Sequence, residues 1–175
     1  MKIQDIFRRP IGRMIEEVIK VDLADEDIVA LELDEYVATD HILDSLGEVL
    51  DAYQETILKP SEITNVWVSG FFGSGKSSWA KVFGYLVANP TILGRAAAER
   101  FAERVHSPRI AALLNTVHAQ APTLAVFVDL STGRNVAREG ESVVLPVYRA
   151  LLERLGYSRN LILAELEFDL EGDGV

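Results

Sequence analysis

Gly70-Phe-Phe-Gly-Ser-Gly-Lys-Ser77 decides how this chain is read. It satisfies G-x-x-x-x-G-K-[ST], the phosphate-binding loop pattern, at every fixed position. Gly70, Gly73 and Gly75 permit backbone conformations and approaches that a Cβ would block. Successive N–H groups of such a loop converge on a concave anion site. A helix starting at about Lys76 aims its positive end at the same point. Lys76 can reach β- and γ-phosphate oxygens, and the Ser77 hydroxyl is placed to ligate Mg²⁺. The candidate nucleotide-binding residues are Gly70, Phe71, Phe72, Gly73, Ser74, Gly75, Lys76, Ser77 and Ser78, with Ser77 as the metal ligand and ATP with Mg²⁺ as the cofactor.

The flanks fit the pattern. Asn65-Val-Trp-Val-Ser69 is a short β-prone apolar run suited to a buried parallel strand. After the loop, Trp79, Val82, Phe83, Leu86 and Val87 recur at helical spacing. Thr123-Leu-Ala-Val-Phe-Val-Asp-Leu130 reads as a second buried strand. The expected fold is therefore α/β: a P-loop NTPase core, AAA-like, with a parallel sheet, preceded by a helical N-terminal region. The division falls between residues 1–60 and 61–175.

Outside the core the reading is helical. Residues 1–25 form an irregular arm, with Val18–Val21 as a candidate short strand. Asp25 caps a helix over 26–37, and Thr39 caps a second over 40–58. The apolar stripe of the second is Ile42, Leu43, Leu46, Val49, Leu50, Tyr53 and Ile57. Lys59-Pro60 ends it, and Ser61–Thr64 is a linker. Further helices are expected over 92–106, from Ser107-Pro108 to Gln120, over 142–155 with Gly156 as the stop, and from a Ser158 cap to about Leu170. A polar loop spans Ser131–Glu141. Two strands are few for such a core, and no closing strand follows the last helix, so the chain is expected to be the N-terminal part of a longer protein.

Bulk composition narrows the function. The chain has 175 residues, 49% of them hydrophobic and 25% charged, which suits one globular domain. No apolar run approaches the ~20 residues that span a bilayer, and the N-terminus lacks a signal peptide's apolar core. With no cysteine there is neither a disulfide nor a thiolate metal site, as fits the cytoplasm. A net charge of −10 argues against direct DNA contact by this segment. Arg95, Arg100, Arg104 and Arg109 are the one basic cluster, read as a solvated helix face, as are the acidic helices.

Hydrolysis needs an acid that holds Mg²⁺ through water. Asp129, ending an apolar run, has that form, but Leu130 follows where a Glu base is common. The alternative puts Asp129 on the neighbouring strand, near the nucleotide by position only. His41, His106 and His118 match no metal spacing and read as surface or helix-end residues. Trp67 and Trp79 flank the loop, with core packing set against adenine contact. Phe71 and Phe72 are expected to pack under the loop or against a neighbouring segment.

Ile3–Phe7, Ile15–Lys20, Glu32–Thr39 and Val66–Ser77, in that order and spacing, resemble the N-terminus of the large P-loop ATPase of BREX bacteriophage-defence systems, the BrxC/PglY family. The W-V-S-G-F-F-G-S-G-K-S form is more specific than a bare phosphate loop, and the likeness covers roughly residues 1–90 well. The resemblance implies ATP and Mg²⁺ on Gly70–Ser77, a long cytoplasmic ATPase, and other BREX components as partners. It also implies that the strand like Leu124–Leu130 precedes the acidic Mg²⁺ strand. The later acidic motif, the sensor residues and the arginine finger have no candidate here, so binding rather than turnover is expected of these residues. Two alternatives stay open: a stand-alone NTPase or kinase using Asp129, and a non-catalytic assembly module ordered by nucleotide.

Overall fold

A computed structural model describes residues 25–60, 65–130 and 142–174, together with Ile6 and Gly12. The Val18–Val21 strand, the Ser61–Thr64 linker and the Ser131–Glu141 loop lie outside the described residues. So do nearly all of Ile3–Phe7 and all of Ile15–Lys20.

Local signals set the helices. α1 (Glu26–Glu35) begins where Asp25 Oδ1 accepts from the backbone N–H groups of Asp27 and Ile28, at 3.0 and 3.3 Å. Glu26 and Asp27 add negative charge at the positive helix end. α2 (Asp40–Leu58) is capped by Thr39, whose hydroxyl accepts from Ile42 N–H. α3 (Lys76–Ala88) starts after Gly75 and ends at Asn89, both left-handed. α5 (Pro108–Gln120) has Ser107 as cap and proline in its first turn, where no N–H is needed. α6 (Val144–Leu155) stops at Gly156, with φ +96°.

The chain between α3 and α5 differs from the continuous helix expected over 92–106. β1 (Thr91–Ile92) and β2 (Arg95–Ala96) form an antiparallel hairpin, and α4 is only Ala97–Arg104. Leu93 and Gly94 turn it, both at positive φ, as a tight two-residue hairpin turn requires. α7 (Leu161–Gly172) is capped by Asn160 rather than Ser158.

The expected α/β, AAA-like P-loop NTPase core is wrong. Among the described residues there are seven helices and one two-stranded antiparallel sheet, with no parallel sheet. Neither Asn65–Ser69 nor Thr123–Leu130 is a strand. The physical reason is that a β-prone apolar run signals a need for burial, whereas a strand also needs a neighbour for its backbone groups. The first run is exposed along its length. The second packs, half-buried, against helices. Phe127 meets Tyr85 with ring centroids 5.1 Å apart, and the Tyr53 and Thr123 hydroxyls lie 3.0 Å from each other.

The core lies among α1–α5. Val29 and Leu33 form one cluster with Leu46 and Leu50, Val82 and Leu86, Phe101, and Ile110 and Leu114. Two buried cations hold it. Arg100 donates to Ile92 O and pairs with Asp34 at 3.2 Å, and Lys81 pairs with Glu32. Arg109 crosses α2 at Gly47 to reach Asp51 at 2.8 Å, a path that a Cβ at 47 would obstruct. The basic cluster is thus only partly a solvated face.

Candidate functional site

The loop is built by its glycines. Gly73 and Gly75 have φ of +78° and +84°, a region costly for other residues. At Gly70 a Cβ would lie 2.7 Å from Ser74 Oγ. Ser74 N–H donates to Phe71 O at 3.2 Å, which closes the turn. Lys76 then folds back over it: its Nζ donates to Gly70 O at 2.9 Å and to Phe71 O at 2.8 Å. The ammonium is thereby held over the loop, with one further N–H to give. No side chain caps the N-terminus of α3, so its first N–H groups are left for another acceptor.

The loop forms one side of a cleft of about 920 Å³. Gly70, Phe71, Gly73, Ser74, Gly75, Lys76 and Ser78 line it, with Val66, Trp67, Val68 and Trp79. The opposite side comes from α1, α2 and the turn between them. It includes Glu32, Glu35, Tyr36, His41, Ile42, Ser45 and Glu48. Phe72 and Ser77 are not among the lining residues; Ser77 is exposed as the second residue of α3. Asp129 does not line it either, and with no strand there it does not stand at a strand's carboxyl end.

Three side chains depart from expectation. Phe71 and Phe72 are 93% and 103% exposed, so they do not pack under the loop. Trp67 is 91% exposed and is no core residue. Trp79 does pack, stacked parallel on Phe83 at 5.5 Å. The reason for the split is the helix: Trp79 lies on the apolar face of α3, whereas among the described residues the segment before the loop has no sheet to bury its indole.

The acids of the cleft and their buried partner belong to no motif in the sequence. Glu32 and Glu35 stand three apart on one face of α1, a spacing that could have been noticed. Lys81 pairs with Glu32 at 2.8 Å from within an otherwise apolar helix face, and that lone lysine was the available signal. His41 lines the cleft. His118 is a structural tie: its Nε2 meets Leu86 O at 2.8 Å and its Nδ1 meets Asn89 Nδ2 at 3.3 Å. This fixes the tautomer, with Nε2 donating and Nδ1 accepting. Among the described residues no group of three or more His, Asp or Glu could hold a metal ion, and no helix is long and apolar enough to cross a membrane.

No family model matches the chain, and no solved structure matches it.

Proposed function

We propose that Gly70–Ser77 binds the phosphates of ATP with Mg²⁺, and that the chain does so as the N-terminal segment of a BREX-type bacteriophage-defence ATPase. The observation that carries this is the hold of Lys76 on Gly70 O and Phe71 O, directly at the uncapped start of α3. Ammonium, loop N–H groups and helix dipole then act on one anion. Left-handed Gly73 and Gly75 support the same reading, because a loop shaped this way leaves room for phosphate where a Cβ would stand.

Mg²⁺ belongs to the reading for an electrostatic reason. Glu35 and Glu48, besides the Lys81-paired Glu32, line the cleft that Lys76 shares, and a bare polyphosphate would add more negative charge. A divalent cation bound with the phosphates would offset it, and Mg²⁺ keeps water for most of its ligands. The exposed Ser77 hydroxyl is the chain's own candidate ligand.

The BREX assignment rests on the motif order in the sequence. On that reading the segment works in the cytoplasm beside other BREX components. The net charge of −10 speaks against DNA contact of its own. Calorimetric titration with Mg-ATP tests the phosphate role. Equal affinity in wild type and Lys76→Ala would refute it.

A further inference from the structure

We infer that the cleft beside the loop is the subsite for the nucleoside part of the ligand, with the Trp67 indole as the ring on which the base stacks. This rests on the phosphate reading of Gly70–Ser77 and extends it.

The cleft is continuous with the loop, because Gly70, Phe71 and Gly73 to Lys76 supply one of its margins. A ligand whose phosphates sit at the start of α3 has the cleft as the enclosed space for the rest of it. At about 920 Å³ the cleft is within the range of small-molecule sites and far larger than a triphosphate needs.

The lining also suits a nucleoside. Ile42 and Val49 give α2 an apolar wall, with His41, Ser45 and the Glu48 carboxylate as polar groups on the same helix. An apolar wall with a few polar groups is how a site holds and orients a flat heterocycle.

Trp67 lines this cleft and yet is 91% exposed. An indole normally buries a large apolar area, so one left in water at the mouth of a cleft has its face free for a ring. Trp79, also lining the cleft, has one face already taken by Phe83. Stacking on an aromatic side chain is sequence-tolerant, so Trp67 adds affinity for bases generally rather than for one base.

The test uses the full chain with Mg-ATP and Mg-tripolyphosphate as calorimetric probes. Mg-ATP should bind more tightly than Mg-tripolyphosphate. Trp67→Ala should weaken Mg-ATP by roughly 5- to 150-fold, the equivalent of one aromatic stack, and leave Mg-tripolyphosphate unchanged. Trp67→Phe should restore most of the loss. In a Trp79→Phe background the remaining indole should change its emission with Mg-ATP and not with Mg-tripolyphosphate. Equal affinities for the two probes, or an unchanged Mg-ATP affinity in Trp67→Ala, would overturn the subsite while leaving the phosphate role intact. If neither probe binds wild type, the phosphate role fails and the subsite with it. An unchanged thermal melt for Trp67→Ala shows that the variant folds.

Discussion

Lys81 Nζ lies 2.8 Å from Glu32 Oε2, and the lysine side chain is only 1% exposed. A charge so placed depends on its partner. Glu32→Gln should cost about 3–5 kcal/mol, because it takes away a carboxylate that pairs with a buried cation. Replacing both, as Glu32→Leu with Lys81→Met, should recover most of that loss. Urea denaturation of the single and double variants checks both outcomes. A Glu32→Gln protein as stable as wild type would show that the pair does not hold α1 on α3.

Lys76 offers the opposite case. Its bonds go to exposed loop carbonyls, so Lys76→Ala should leave the melting temperature nearly unchanged. On the proposed phosphate role its effect falls on binding. Losing a charged hydrogen-bond donor to phosphate is worth about 1.5–3 kcal/mol, or roughly 10- to 150-fold in Mg-ATP affinity. Calorimetry beside a thermal melt separates the two quantities.

Gly84 is the place where α3 admits the Thr123–Leu130 segment. A Cβ at 84 would stand 2.5 Å from Phe127 Cζ and 2.6 Å from Cε1. Alanine usually improves a helix by about 0.5–1 kcal/mol over glycine. Here overpacking of about 1–3 kcal/mol works against it, so Gly84→Ala should be net destabilising. Phe127→Leu in the same chain should return the alanine advantage. Chemical denaturation gives the sign directly.

Two phenols should make the stability fall in alkali. Burial raises Tyr36 above its ordinary 10.0. Burial also raises Tyr85, helped by the charge of Glu32 and opposed by Arg154. The folded protein thus keeps protons that the unfolded chain has already released. Their contribution is complete below about pH 10 and is lost as pH rises through the raised folded values. The Tyr36→Phe, Tyr85→Phe double variant should show a flatter decline across that window. Urea midpoints measured in steps above pH 9 would reveal it, and parallel curves for the two proteins would count against it.

Helices were legible in the sequence where a cap and an apolar stripe coincided. Thr39 and Ser107 mark the starts of α2 and α5, and Gly156 marks the end of α6. The turn at Leu93-Gly94 was only half legible: Gly94 marks a left-handed position, but a leucine gives no sign of the other. The sheet failed for a deeper reason. An apolar run such as Leu124–Leu130 reports only a need for burial, and here Gly84 and Tyr85 meet that need for Phe127. Of the site, the loop and its lysine could be read from spacing alone. The far wall of the cleft could not, since it comes from residues 28–49, which only folding brings near 66–79.

Lys76 and Lys81 stand five residues apart on α3, separated by about 7.5 Å along a single rigid rod. The first grips the loop and the second grips Glu32, which itself lines the far side of the cleft. The two jaws are therefore cross-braced through one helix. The ion pair, together with the apolar contacts between α1 and α3, ties the far side of the cleft to the helix that carries the loop, and its lysine is sealed away from whatever the cleft holds.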